Sequence, residues 1–173
     1  MAHPAQSQPR SGIPNTVVAL CAIAALGSCA GPAFAASLTR SIEVDASPEQ
    51  VWSVIGPFCA IRDWHPAVGQ CSLDGGDPPT RTLVTRDGAA TFVEPQVARD
   101  DQAHLYSYTF RSSPFPVTRY TGTILVAPRA GGGSTIIWHG VYTAQPGRDR
   151  EAYDDFAAIY EPGLAALKAR FSD

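Results

Sequence analysis

From residue 68 to residue 144 the chain alternates short strand-forming runs with clusters of turn residues. The runs are Val68–Leu73, Arg81–Thr85, Ala90–Ala98, His104–Phe110, Val117–Ala127 and Ser134–Ala144. Between them lie Gly75-Gly76-Asp77-Pro78-Pro79, Asp87-Gly88, Asp100-Asp101, Ser112-Ser113-Pro114 and Gly131-Gly132-Gly133. Connections this short join neighbouring antiparallel strands, and Asp87-Gly88 is a strong hairpin signal. Pro95 inside its run predicts an edge strand or a bulge. An antiparallel meander has one face to bury, and a single long helix follows to bury it. From about Arg150 to Phe171, the residues Tyr153, Phe156, Tyr160, Leu164, Leu167 and Phe171 recur three or four apart, forming one apolar stripe. Pro162 lies within it and cannot donate to the Ala158 carbonyl, which predicts a kink.

Ahead of the meander, Ser37–Val44 reads as a further strand. Ser47 then caps a helix with Pro48 at its first position and Gln50 closing a capping box. Val51, Trp52 and Ile55 are its apolar face, and Gly56-Pro57 ends it. A second short helix fits Cys59–Trp64, stopped by Pro66.

The first 35 residues have the form of a secretory signal. Arg10 precedes an apolar run of about ten residues, Val17–Leu26, where a bilayer span needs about 20. Ala33-Phe34-Ala35 is a cleavage signature, so the mature chain is expected to begin at Ala36, exported to the periplasm or secreted. Leu26-Gly27-Ser28-Cys29 keeps a second reading open, a lipoprotein anchored at Cys29. After residue 35 no apolar stretch is long enough to cross a membrane, and the cysteines that remain are Cys59 and Cys71. Outside the cytoplasm such a pair is a candidate disulfide; the alternative is two packed thiols. The chain carries 16 Asp+Glu against 13 Lys+Arg, a formal net charge of −3, with no basic patch interleaved with aromatics. Nucleic acid is therefore not an expected partner.

The element order, together with Ser47-Pro48-Glu49-Gln50-Val51-Trp52 and Trp64-His65-Pro66, resembles the START-like (SRPBCC) superfamily, which includes birch-pollen-allergen-like proteins, polyketide cyclase/dehydrase-like proteins and plant abscisic-acid receptors. The similarity extends over residues 36–173 and is strongest to exported bacterial cyclase/dehydrase-like members. It implies an α+β helix-grip fold: a seven-stranded antiparallel curved sheet around a long C-terminal helix, with two short helices between strands 1 and 2. It also implies a cavity between sheet and helix. The receptor pattern puts Glu94, Tyr108, Tyr120, Phe156, Tyr160 and Leu164 on its lining. Strand alternation adds Phe92, Gly122, Ile124, Trp138, Gly140 and Tyr142. Trp64, His65 and Arg119 are expected at the cavity mouth. The receptors' longer gating loop is replaced here by Thr85–Ala89, which argues against gating of that kind.

Glu94 is the sharpest polar candidate, because a carboxylate in an apolar cavity is desolvated and suits either ligand anchoring or acid/base work. A ligand, a water, or a neighbour such as Arg119 or a tyrosine hydroxyl would satisfy it. No His-Glu-x-x-His, Cys-x-x-Cys or Gly-x-Ser-x-Gly is present, so neither a metal, a cofactor nor a serine nucleophile is called for. The leading expectation is a non-catalytic protein that binds a small hydrophobic or amphipathic molecule. The alternatives are a cyclase/dehydratase-type enzyme using Glu94, and an accessory protein that docks on a periplasmic enzyme. The absence of any cavity of about 300 Å³ or more would sink both ligand readings and leave docking.

Overall fold

The computed structural model describes residues 1–2 and 35–172. The signal sequence and Cys29 readings lie outside the described residues, apart from Ala35. The elements are β1 (Ala36–Val44), α1 (Pro48–Ile55), α2 (Ile61–Trp64), β2 (Val68–Leu73), β3 (Thr80–Thr85), β4 (Thr91–Asp100), β5 (Leu105–Thr109), β6 (Val117–Pro128), β7 (Ser134–Ala144) and α3 (Asp149–Arg170). The seven strands form one sheet in the order β1-β7-β6-β5-β4-β3-β2, with every pair antiparallel. This is the helix-grip architecture, with α1 and α2 between β1 and β2 and α3 laid on the sheet.

Local chemistry sets most boundaries. Ser47 Oγ accepts from the Gln50 N–H at 3.3 Å and Gln50 Oε1 accepts from the Ser47 N–H at 2.9 Å, completing the capping box of α1. The β3–β4 hairpin turns at Asp87-Gly88, where Gly88 has φ 73° and Asp87 Oδ1 accepts from Thr85 Oγ1 and the Ala89 N–H. β5 starts one residue later than expected because His104 has φ 50°, a left-handed conformation no strand residue takes. It also stops before Phe110: Arg111 and Ser112 donate instead to the Val93 carbonyl, across a bridge to β4.

Pro95 proves to be an interior rather than an edge residue, since β4 lies between β3 and β5. It sits where β4 changes partner. Residues 91–95 pair with β3, residues 96–100 pair with β5, and a register shift follows between Gln96 and Ala98. A residue without an N–H is tolerated at such a break in the ladder.

The stripe of α3 is buried at Ala152, Phe156, Tyr160, Gly163, Leu164 and Leu167. Tyr153, expected on that stripe, is at its exposed rim instead, where its hydroxyl accepts from Arg40 Nη2 at 3.0 Å. Residues 167, 164, 160 and 156 lead back to 152 at the helical period, leaving 153 turned outward. α3 continues through Pro162 as one helix.

Cys59 and Cys71 form a disulfide with Cα atoms 5.6 Å apart, tying the turn before α2 to β2. The crosslink acts mainly by restricting the unfolded chain, and a loop this short limits the size of that effect. Replacing both residues (Cys59→Ser/Cys71→Ser) is expected to lower unfolding free energy by roughly 2–3 kcal/mol while the sheet persists. Urea denaturation of the two proteins measures this, and coincident midpoints would contradict it.

Candidate functional site

The register of the β3–β4 hairpin sets Arg81 directly opposite Glu94. Both side chains point into the concave face, between Leu83 on β3 and Phe92 and Gln96 on β4. Arg81 is 0% and Glu94 4% exposed, so this is an ion pair with almost no access to water. Arg81 Nε donates to Glu94 Oε2 at 2.6 Å and Nη1 donates to the Phe58 carbonyl at 2.7 Å. The guanidinium is also flanked by rings, with Cζ 4.3 Å from the centroid of Phe58 and 4.7 Å from that of Tyr108. Its third nitrogen, Nη2, makes no hydrogen bond of ordinary geometry among the described residues; the buried Tyr106 hydroxyl, also without one, interacts with the same guanidinium. Burial pushes the Glu94 carboxyl up and the adjacent guanidinium pulls it part of the way back. Burial opposes the charge on Arg81 too, but Glu94, Tyr106 and Tyr108 together more than offset it, and the guanidinium stays protonated.

A second polar group lies deeper under α3. Trp138 Nε1 donates to the Tyr108 hydroxyl at 2.9 Å, the Tyr120 hydroxyl donates to Tyr108 at 3.2 Å, and the Tyr120 and Tyr160 hydroxyls are 2.7 Å apart. With the Tyr120 proton committed to Tyr108, Tyr160 is the donor to Tyr120. The Tyr108 oxygen thus receives two hydrogen bonds, leaving its own proton to be donated. Burial raises all three tyrosines above the ordinary phenol value, so they remain neutral hydroxyls. Gly122 and Gly140 make room for them. A Cβ at Gly122 would lie 2.7 Å from Tyr108 Cζ, and one at Gly140 would lie 3.1 Å from Tyr120 Cε2.

The residues expected from the sequence divide into three groups. Phe92, Glu94, Tyr108, Tyr120, Trp138, Phe156 and Tyr160 converge on one interior cavity, joined by Arg81 and His65. Tyr142 and Leu164 are buried but not on that lining; the Tyr142 ring packs 4.7 Å from Phe156. The three mouth candidates separate. Arg119 is exposed on β6, far from its expected role as partner of Glu94. Trp64 and His65 are in the core, 6% and 1% exposed, and Trp64 packs edge-on against Trp138 at 5.8 Å. His65 is clipped at both nitrogens, Nδ1 accepting from the Ala67 N–H at 3.1 Å and Nε2 donating to the Ile159 carbonyl of α3 at 2.9 Å. Gly163 lets α3 approach this ring, since a Cβ there would lie 2.6 Å from His65 Cδ2.

The interior cavity is small, about 40 Å³, because aromatic rings occupy most of the space between sheet and helix. That admits water-sized guests, whereas ligand pockets usually span about 300–1,000 Å³. Beside it, an open groove of about 670 Å³ runs along the start of β6, lined by Arg111, Arg119, Val141 and Thr143. Phe110, Phe115 and Tyr120 line both spaces and form the partition between them. Among the described residues, no cluster of three or more His, Cys, Asp or Glu is placed to hold a metal ion.

Architecture and interior together define a helix-grip protein with an aromatic chamber under its long helix. The chain belongs to the polyketide cyclase/dehydrase and lipid transport family, whose profile matches residues 35–172. It is similar to the protein XoxI from Bacillus cereus, with 37% identity, 79% of this chain and 95% of that one covered, and a TM-score of 0.74. A protein from Thermobifida fusca is 34% identical over 78% of this chain and 92% of that one, with a TM-score of 0.70. The aromatase/cyclase ZhuI from Streptomyces sp. R1128 shares the fold at 14% identity, covering 79% of this chain and 93% of that one, TM-score 0.64. No curated protein matches the chain at a significant level.

Burial lowers the pKa of His65 below its ordinary 6.5, with the Ile159 carbonyl opposing and Arg81 assisting the shift. The unfolded chain therefore takes up this proton at a higher pH than the folded one. The stabilisation is complete above pH 6.5 and is lost as pH falls from there toward the lowered folded value. His65→Gln, which keeps a donor for Ile159, is expected to flatten the loss of stability between pH 7 and pH 5. Denaturation at several pH values measures the slope, and equal slopes in the two proteins would contradict the assignment.

Proposed function

We propose that this protein binds a small amphipathic molecule in the chamber between the sheet and α3, and that the guest enters by displacing aromatic rings. The observation that carries the reading is the Arg81–Glu94 pair. Removing two charges from water costs several kcal/mol per ion, and hydrophobic residues of the same volume often serve a core as well or better. Packing alone gives little reason for such a pair. A guest with an acceptor oxygen does, because it can take hydrogen bonds from Arg81 Nη2 and from the Tyr108 hydroxyl. The surrounding rings suit its apolar body. Membership of a family described by cyclase, dehydrase and lipid-transport activities supports a small-molecule role.

The interior volume, taken alone, favours the docking alternative. The binding reading therefore requires the Phe110 and Phe115 part of the partition to move, joining the chamber to the groove. The enzymatic alternative is weaker: Glu94 is held by Arg81, and both nitrogens of His65 are engaged. We further propose that residues 1–35 direct export, a reading supported by the Cys59–Cys71 disulfide.

Native mass spectrometry of protein purified from its own host is expected to reveal a co-purifying small molecule and a chain beginning at Ala36. Repeated recovery of the bare mass, with no binding of apolar dyes in the chamber, would leave only docking. A mutational comparison tests the pair itself. Glu94→Gln strands a buried guanidinium and is expected to cost about 3–5 kcal/mol, whereas Arg81→Met/Glu94→Leu should recover most of that stability. The double variant should also lose any preference for guests carrying an acceptor oxygen. A double variant as unstable as Glu94→Gln would show that the pair is structural.

A further inference from the structure

The groove beside the chamber differs in charge from the rest of the chain. Acidic residues outnumber basic ones, 16 to 13, yet no aspartate or glutamate lines this groove. Seven arginines (40, 62, 81, 99, 129, 148 and 150) are ion-paired. Arg111 and Arg119, both in the groove, pair with no carboxylate among the described residues. The one side-chain contact at either guanidinium is Arg111 Nη2 to Thr80 Oγ1 at a long 3.5 Å. Four described arginines (86, 111, 119 and 170) form no ion pair among the described residues, and two of them line this groove. The Asp74 carboxyl, held low first by the Thr80 and Gly76 N–H groups, is near enough to Arg111 to be lowered by it as well, which leaves Arg119 as the more available charge.

The groove exists because β5 and β6 part company. Their pairing ends at Thr109 and Thr121, the chain then crosses toward β4 at Ser112, and the start of β6 has no β5 partner. Through that gap the floor of the groove is the outer side of the rings that close the chamber, Phe110, Phe115 and Tyr120. The polar and apolar parts of a path into the interior are therefore in sequence. Two guanidiniums stand outside, three rings form the partition, and the donors Arg81 and Tyr108 lie beyond.

We propose that this groove is the portal to the chamber and that it selects amphipathic anions, molecules with a carboxylate-, sulfonate- or phosphate-like head on an apolar body. Arg111 and Arg119 hold the head by charge-assisted hydrogen bonds while the body passes between the rings. The inference rests on the binding reading above and adds the charge of the guest and its route.

Two fluorescent probes separate the two ideas. N-phenyl-1-naphthylamine and 8-anilinonaphthalene-1-sulfonate share one ring system and differ in the sulfonate. Both are expected to shift the ring resonances of Tyr108 and Phe156 in the wild-type protein. Arg111→Gln/Arg119→Gln, two surface changes that should leave thermal unfolding unaltered, is expected to weaken the sulfonate roughly tenfold, a size in keeping with lost charge-assisted contacts. The neutral amine should stay within about twofold, since it makes no such contacts. The wild-type affinity for the sulfonate should also fall as salt rises. Equal sulfonate affinity in the two proteins, with the neutral probe still bound, would overturn the portal while sparing the chamber. A sulfonate that perturbs groove residues but leaves Tyr108 and Phe156 unmoved would also overturn it. If neither probe reaches those rings in the wild type, the chamber reading itself falls, and the portal falls with it.

Discussion

The interior is organised around one charge, the Arg81 guanidinium, held out of water by a single carboxylate, one backbone carbonyl and three aromatic faces. A buried cation is tolerable only if its surroundings answer it, and here three elements do so. β4 supplies Glu94, β5 supplies the Tyr106 and Tyr108 faces, and the turn after α1 supplies the Phe58 ring and carbonyl. The disulfide joins the residue after Phe58 to β2, next to the strand that carries Arg81. The covalent tie and the ion pair thus brace the same corner of the molecule.

Away from that charge the polar atoms are neutral and arranged in a relay. Trp138, Tyr108, Tyr120 and Tyr160 come from three strands and the long helix, and their hydrogen bonds fix the separation of α3 from the sheet. Two glycines on the concave face serve this relay, for at Gly122 and Gly140 any side chain would occupy space taken by tyrosine. His65, beside Trp138, adds a second hold on α3, reaching the Ile159 carbonyl one turn before Gly163. The helix is thus positioned by directional bonds at several points along its length, with aromatic packing filling what remains.

The same arrangement explains why the chamber is nearly filled yet has a weak wall. Most of its lining is on paired strands or on the helix. Phe110 and Phe115 are in the segment that leaves β5, where strand pairing is reduced to a single bridge to β4. Segments with fewer backbone hydrogen bonds to neighbours open at lower free energy than paired strands. A partition built there is the part of the wall most able to move, and it faces the groove with the unpaired arginines.

Much of this architecture is legible in the residues. Turn clusters, capping chemistry and the 3.6-residue stripe place the strands and helices within a few positions, because those signals are local. Even Arg81 was within reach: it lies six residues before Asp87 and Glu94 lies six after Gly88, so a two-residue turn sets them opposite each other. Local residue patterns suffice for the element order, the antiparallel meander and the apolar face of each strand. The tertiary structure alone decided that His65 is clipped into the core, that rings fill the chamber, and that Arg119 and Arg111 share an outer groove. These depend on how far α3 sits from the sheet and where β5 leaves β6, distances between segments remote in sequence that no local pattern encodes.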